Sequence, residues 1–216
     1  MPDKNLPTPD QLHELLLLSP VIPVLVVDRV EDAVPLAEAL VEGGLKVLEI
    51  TLRTAHALDV IEAMAKAVPQ AVIAAGTVTT EAQLAAARQA GARFAVSPGL
   101  TPALLEATQT PGALPLLPGV STASELMIGL EAGLTCFKLF PAEAVGGAAL
   151  LKSFHGPFPQ AVFCPTGGIT VDTAPRYLAL PNVACVGGSW LATTAAIHGA
   201  QWREIRDLAR AASMLR

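Results

Sequence analysis

The sequence predicts an α/β fold, a (β/α)8 TIM barrel with an extra N-terminal helix, as a single domain over residues 1–216. Three observations lead there. Short apolar runs recur at intervals of roughly twenty to twenty-five residues, each followed by an alanine-rich stretch with helical spacing, which is the signature of βα alternation. Eight such runs can be marked. They are nearly continuously apolar, as expected of parallel strands covered on both faces, and eight units of this kind point to a closed barrel.

In chain order, PDQLHELLLL reads as the extra helix, placed to plug the N-terminal end of the barrel. The strand runs are VIPVLVV from Val21, VLEIT from Val47, AVIAA from Ala71 and RFAVS from Arg93. They continue with ALPLLP from Ala113, TCFKLF from Thr135, AVFCP from Ala161 and VACVG from Val183. Between them, EDAVPLAEALVEGG and TTEAQLAAARQAG read as helices ending at Gly43–Gly44 and Gly91, glycines suited to left-handed caps. Helix starts are expected at Thr101 before Pro102, and at Ser121 in STASELMIGLEAG with Glu125 in its first turn. No linker divides the chain. An open doubly wound sheet is disfavoured, because no GxGxxG follows the first strand.

Composition narrows the function. Charged residues are 15% and hydrophobic ones 52%, against about 25% and about 45–50% in ordinary domains, so subunit burial is expected. A formal charge of −5 without a basic run argues against a nucleic-acid partner. Cys136, Cys164 and Cys185 are far apart in apolar runs and read as small buried residues. His13, His56, His155 and His198 lack metal-ligand spacing, so no metal is expected. The start MPDKNLPTPD has acids and prolines where a signal peptide needs basic and apolar residues, and Leu15 to Leu18 is too short to span a bilayer. A cytoplasmic location and no membrane partner are the expectation.

Lys138 is the most informative residue. It lies in TCFKLFPAE, where Cys136, Phe137, Leu139 and Phe140 offer no charge. Apolar surroundings disfavour an ammonium and expose a neutral amine that attacks carbonyl carbon, the first step of Schiff-base chemistry. The plain alternative is a lysine that snorkels to water or meets a carboxylate. Active sites of barrels form at the C-terminal ends of strands, which here deliver Glu49, Arg53, Thr77, Ser97, Pro98, Lys138, Thr166, Gly167, Gly168, Gly187, Gly188 and Ser189.

Glu49, between Leu48 and Ile50, is a candidate acid/base, or else a structural partner of Lys138 or Arg53. Arg53 offers a fork for a substrate carboxylate, or else is a solvated loop residue. The PTGGI and VGGSW segments close adjacent strands where barrels often bind phosphate through backbone N–H groups.

Taken together, LEITLRT, AAGTV, SPGLT, PLLPGVST, FKLFPAE, FCPTGGI and VGGSW, in this order from about Pro20 to Trp190, resemble the 2-keto-3-deoxy-6-phosphogluconate (KDPG) aldolase / 4-hydroxy-2-oxoglutarate aldolase family. The resemblance implies a class I aldolase that needs neither metal nor cofactor. It would cleave 2-dehydro-3-deoxy-6-phosphogluconate to pyruvate and glyceraldehyde 3-phosphate, and also 4-hydroxy-2-oxoglutarate to pyruvate and glyoxylate. It implies Lys138 as the imine-forming residue and Glu49 as general acid/base. Arg53 and Thr77 would contact the pyruvate-derived carboxylate end, Pro98 and Phe140 line the pocket and Thr166 contact substrate. Gly167, Gly168, Gly188 and Ser189 would hold phosphate. A homotrimer is also implied. The competing readings are a phosphosugar isomerase-type barrel using Glu49 as base, and a non-catalytic phosphometabolite-binding barrel.

Overall fold

Parallel strands and helices alternate along residues 9–215, which the computed structural model describes; the reading of residues 1–8 as no targeting signal lies outside them. Helix α1 (Pro9–Leu16) precedes β1 (Val21–Leu25), α2 (Ala33–Glu42), β2 (Val47–Thr51), α3 (Ala57–Ala67) and β3 (Val72–Gly76). Then come α4 (Glu81–Gln89), β4 (Phe94–Val96), α5 (Pro102–Thr108), β5 (Leu116–Leu117), β6 (Gly119–Val120) and α6 (Ala123–Glu131). The chain ends with β7 (Cys136–Leu139), α7 (Gly147–His155), β8 (Val162–Pro165), α8 (Ala174–Leu178), β9 (Val186–Gly188), α9 (Thr194–His198) and α10 (Trp202–Ser213).

Six strands form one curled parallel sheet in the order β5-β4-β3-β2-β1-β9, and β6-β7-β8 form a second. Of the run ALPLLP, expected as one strand, only Leu116–Leu117 is strand, and a second short strand, Gly119–Val120, follows directly beyond the run. Pro118 has no N–H to give to the ladder, so Leu116–Leu117 pairs with β4 while Gly119–Val120 pairs with β7. The last strand is shorter than expected and shifted: of VACVG only Val186 and Gly187 are strand, β9 runs on to Gly188, and isolated bridges join Val183 to Phe163 and Gly187 to Thr166.

Strand alternation sorts the core into two layers. Leu48, Ile50, Phe137, Leu139 and Phe163 face the helices in the larger apolar cluster. Ile22, Val47, Ala74, Phe94, Cys136 and Cys164 form the inner cluster, and Leu12 and Leu16 of α1 are buried against it. The extra helix therefore covers the N-terminal halves of the strands, as predicted. Cys185 lies in the same layer, so all three cysteines are buried.

Capping follows the sequence with two adjustments. Thr101 accepts from the Leu104 N–H as expected. The cap of α6 is Thr122, one residue beyond Ser121, in a capping box with Glu125 whose Oε2 accepts from the N–H groups of both Ser121 (2.7 Å) and Thr122 (2.8 Å). Gly44 (φ 96°) and Gly91 (φ 94°) adopt the left-handed conformation. Gly43 does not; at φ −74° it ends α2 and leaves room for Ala209 of α10.

Candidate active site

Two strands that are not neighbours bring together the central pair. Glu49 on β2 shares its face with Val47, and Lys138 on β7 shares its face with Cys136, so both side chains enter the inner layer just above its apolar part. Lys138 Nζ donates to Glu49 Oε1 at 3.1 Å, with only 5% and 3% of the two residues exposed. The flanking residues of Lys138 carry no charge, yet the group is paired across the interior. Snorkelling to water is excluded, and so is a structural partnership of Glu49 with Lys138's competitor: the Arg53 side chain instead donates from Nε to Thr51 Oγ1 at 3.1 Å.

Gly76 permits this geometry. A Cβ there would lie 2.6 Å from Glu49 Cγ and closer still to the carboxylate, so any side chain would displace the acid. The next residue, Thr77, holds φ 61°. A β-branched residue in the left-handed region is strained by about 1–3 kcal/mol, and such strain gathers at functional sites.

Around the pair, the Phe140 ring centroid lies 5.4 Å from Lys138 Nζ, within cation–π range. Pro98 follows the buried Ser97, whose hydroxyl donates to the Gly99 carbonyl at 2.7 Å. Thr166 is buried at the end of β8, with Cys164 Sγ 4.0 Å from its Oγ1. The Thr166–Gly187 bridge sets the ends of β8 and β9 side by side, so Gly167, Gly168, Gly188 and Ser189 occupy one rim. Gly167 and Gly168 have φ 106° and 78°. Arg53 and Ser189 are exposed, apart from the buried pair. Among the described residues no group of three or more His, Cys, Asp or Glu side chains is arranged to hold a metal ion, and no helix is long and apolar enough to cross a membrane.

The sequence profile described as KDPG and KHG aldolase matches residues 12–208. The chain belongs to this family. It is 54% identical over 200 residues to a KHG/KDPG aldolase of Escherichia coli, covering 93% of each chain. A KDPG aldolase of Legionella pneumophila, with pyruvate captured at low pH as a covalent carbinolamine intermediate, superposes with a TM-score of 0.92 at 50% identity, covering 96% of this chain and 98% of that one. The KDPG aldolase of Zymomonas mobilis ZM4 with 3-phosphoglycerate gives a TM-score of 0.91 at 47% identity, with 97% and 98% covered.

Several residues at these strand ends and in the loops that follow them escaped the sequence reading. Thr51 is buried; its hydroxyl donates to the Leu25 carbonyl at 2.8 Å and accepts from Arg53. The signal was present, since Glu49, Thr51 and Arg53 repeat at the strand period of two. Gly76 sits in AAGTV without its role being legible, because the clash it avoids comes from another strand. Glu143 of FKLFPAE accepts from the Tyr177 hydroxyl at 2.6 Å and from Arg176. Nothing in the sequence joins residues 34 apart.

Proposed function

We infer that the protein is a class I aldolase that cleaves 2-dehydro-3-deoxy-6-phosphogluconate to pyruvate and glyceraldehyde 3-phosphate through an imine on Lys138. The observation that carries this reading is the buried Lys138–Glu49 contact at 3.1 Å in a family whose Legionella member holds pyruvate as a covalent carbinolamine. Glu49 accepts a proton from the lysine, and the neutral amine adds to the C2 carbonyl. Glu49 then returns a proton to the carbinolamine hydroxyl, and water leaves to give the iminium. The iminium draws in the electron pair of the C3–C4 bond as Glu49 takes the proton of the C4 hydroxyl. Glyceraldehyde 3-phosphate departs, the enamine is protonated at C3, and hydrolysis frees pyruvate and Lys138.

In the same reading Arg53, held by Thr51, and Thr77 receive the carboxylate, Pro98, Phe140 and Thr166 line the substrate, and Gly167, Gly168, Gly188 and Ser189 bind phosphate. The second substrate is 4-hydroxy-2-oxoglutarate, which presents the same end to Lys138. The strands close into one eight-stranded barrel spanning a single domain; the β8–β9 bridges and the β5–β6 continuation across Pro118 support this. A cytoplasmic homotrimer completes it, supported by the low charge content and by Met127 and Ile128 exposed on α6. The isomerase-type reading leaves Lys138 only an electrostatic part, the non-catalytic one has no need of it, and both are set aside.

The test is release of pyruvate from 2-dehydro-3-deoxy-6-phosphogluconate, with and without a metal chelator. Equal turnover in both is expected. No pyruvate, or turnover lost to the chelator, contradicts the assignment.

A further inference from the structure

Glu143 lies in FKLFPAE, close to the lysine in sequence but outside the imine chemistry. Its backbone N–H donates to the Gly167 carbonyl at 3.1 Å, one step beyond the Ala142 N–H to Thr166 carbonyl bond at 2.8 Å. The segment after β7 is thus laced onto the segment after β8. Its side chain lies under Gly168, where a Cβ would come within 2.9 Å of both Cβ and Cγ of Glu143. The carboxylate then runs to α8, the helix that follows the Gly167–Gly168 loop. There the Tyr177 hydroxyl donates to Oε1 at 2.6 Å and Arg176 pairs with the same oxygen. Tyr177 is wholly buried, and its hydroxyl faces Gly147.

A carboxylate beneath an anion-binding loop is an electrostatic liability unless it is fixed and neutralised. Arg176 and Tyr177 do both. The Arg176 hydrogen bond, followed by that of Tyr177, holds the Glu143 carboxyl below the usual carboxylate range. Resting on the phosphate reading above, we propose that Glu143, tied back by Tyr177 and Arg176, is a positioning residue: it fixes the Gly167–Gly168 loop for phosphate and sets the preference for phosphorylated over unphosphorylated 2-oxo acids.

The network makes a prediction that a merely structural brace does not. Tyr177→Phe loosens the tie, and Arg176→Ala leaves a bare negative charge beside the loop. Each raises KM for 2-dehydro-3-deoxy-6-phosphogluconate by about 5- to 10-fold, the worth of one hydrogen bond or a partly screened charge. The pyruvate concentration that half-saturates borohydride trapping changes by less than about 2-fold, because pyruvate carries no phosphate. Adding Glu143→Gln to Arg176→Ala removes the offending charge and restores most of the lost affinity. Ser189→Asp, which places a charge on the rim directly, is the control for the phosphate site itself.

Equal losses with both ligands, or a double variant no better than Arg176→Ala, overturns the proposal while Ser189→Asp still weakens the phosphorylated substrate selectively. If Ser189→Asp shows no such selectivity, the phosphate assignment falls, and the role of Glu143 with it.

Discussion

The inner face of the curled sheet has two halves built from the same strands and opposite in character. Toward the strand N-termini, Val47, Cys136 and Cys164 pack with Ala74, Phe94, Leu12 and Leu16. Two residues further along each strand, the inward positions become Glu49, Lys138 and Thr166, all buried and polar. One half seals; the other holds ionisable groups out of water. The comparison explains how so apolar a chain carries a buried amine. The sealed half supplies cohesion, so the neighbouring half can bury a charge pair that does little for stability by itself.

Making the polar half resemble the sealed one has the largest expected effect. Lys138→Met abolishes cleavage and, by leaving Glu49 buried without its partner, lowers stability by about 3–5 kcal/mol. Adding Glu49→Met should return stability to the wild-type level or above it, with activity still absent, as read by denaturant unfolding. A double variant as unstable as the single one would mean that the pair itself holds the fold.

Glu49→Gln keeps the shape and the hydrogen bond but removes the proposed proton carrier. Single-turnover cleavage should slow by about 10² to 10⁴. A rate within a few-fold of wild type would make Glu49 structural.

In the sealed half the pattern reverses. Leu16→Ala should cost about 2–5 kcal/mol of stability, the usual loss for a buried leucine, with kcat/KM unchanged below the unfolding transition. A fall in kcat/KM without loss of stability would mean that the two halves are not separable.

The smallest effect is on pH dependence at the rim. Because Glu143 has its folded-state pKa lowered from 4.5, its contribution is present above that value and is lost as pH falls through the lower one. Tyr177 is pushed up to about 12, mainly by burial and then by Glu143. Its contribution is complete below 10 and disappears as pH rises through about 12. Thermal unfolding of Glu143→Gln and of Tyr177→Phe should therefore converge on the wild type at the acid and the alkaline end respectively. Differences independent of pH would show that neither group titrates with folding.

How much of this was legible in the sequence follows from where each signal resides. Strands, caps and the plugging helix depend on local periodicity, so VLEIT, TCFKLF and PDQLHELL were readable at once. Boundaries failed where a residue acts on its neighbours' pairing: Pro118 separates two short strands, the second lying beyond the run ALPLLP, and only two residues of VACVG formed strand. Lys138 announced itself by its apolar flanks, but its partner stands 89 residues away, so the pairing had two candidates until the strands were placed. Thr51 went unremarked because a strand-end threonine looks ordinary until its two hydrogen bonds are seen. The Glu143–Tyr177–Arg176 tie joins two loops and leaves no periodic trace.

The central claim is that Lys138 is the nucleophile, and trapping tests it most directly. Wild-type protein incubated with pyruvate and borohydride should gain one stable adduct, which peptide mass analysis should place on Lys138 and which Lys138→Met should not form. An adduct on Lys46, Lys66 or Lys152, or none at saturating pyruvate, would contradict the account.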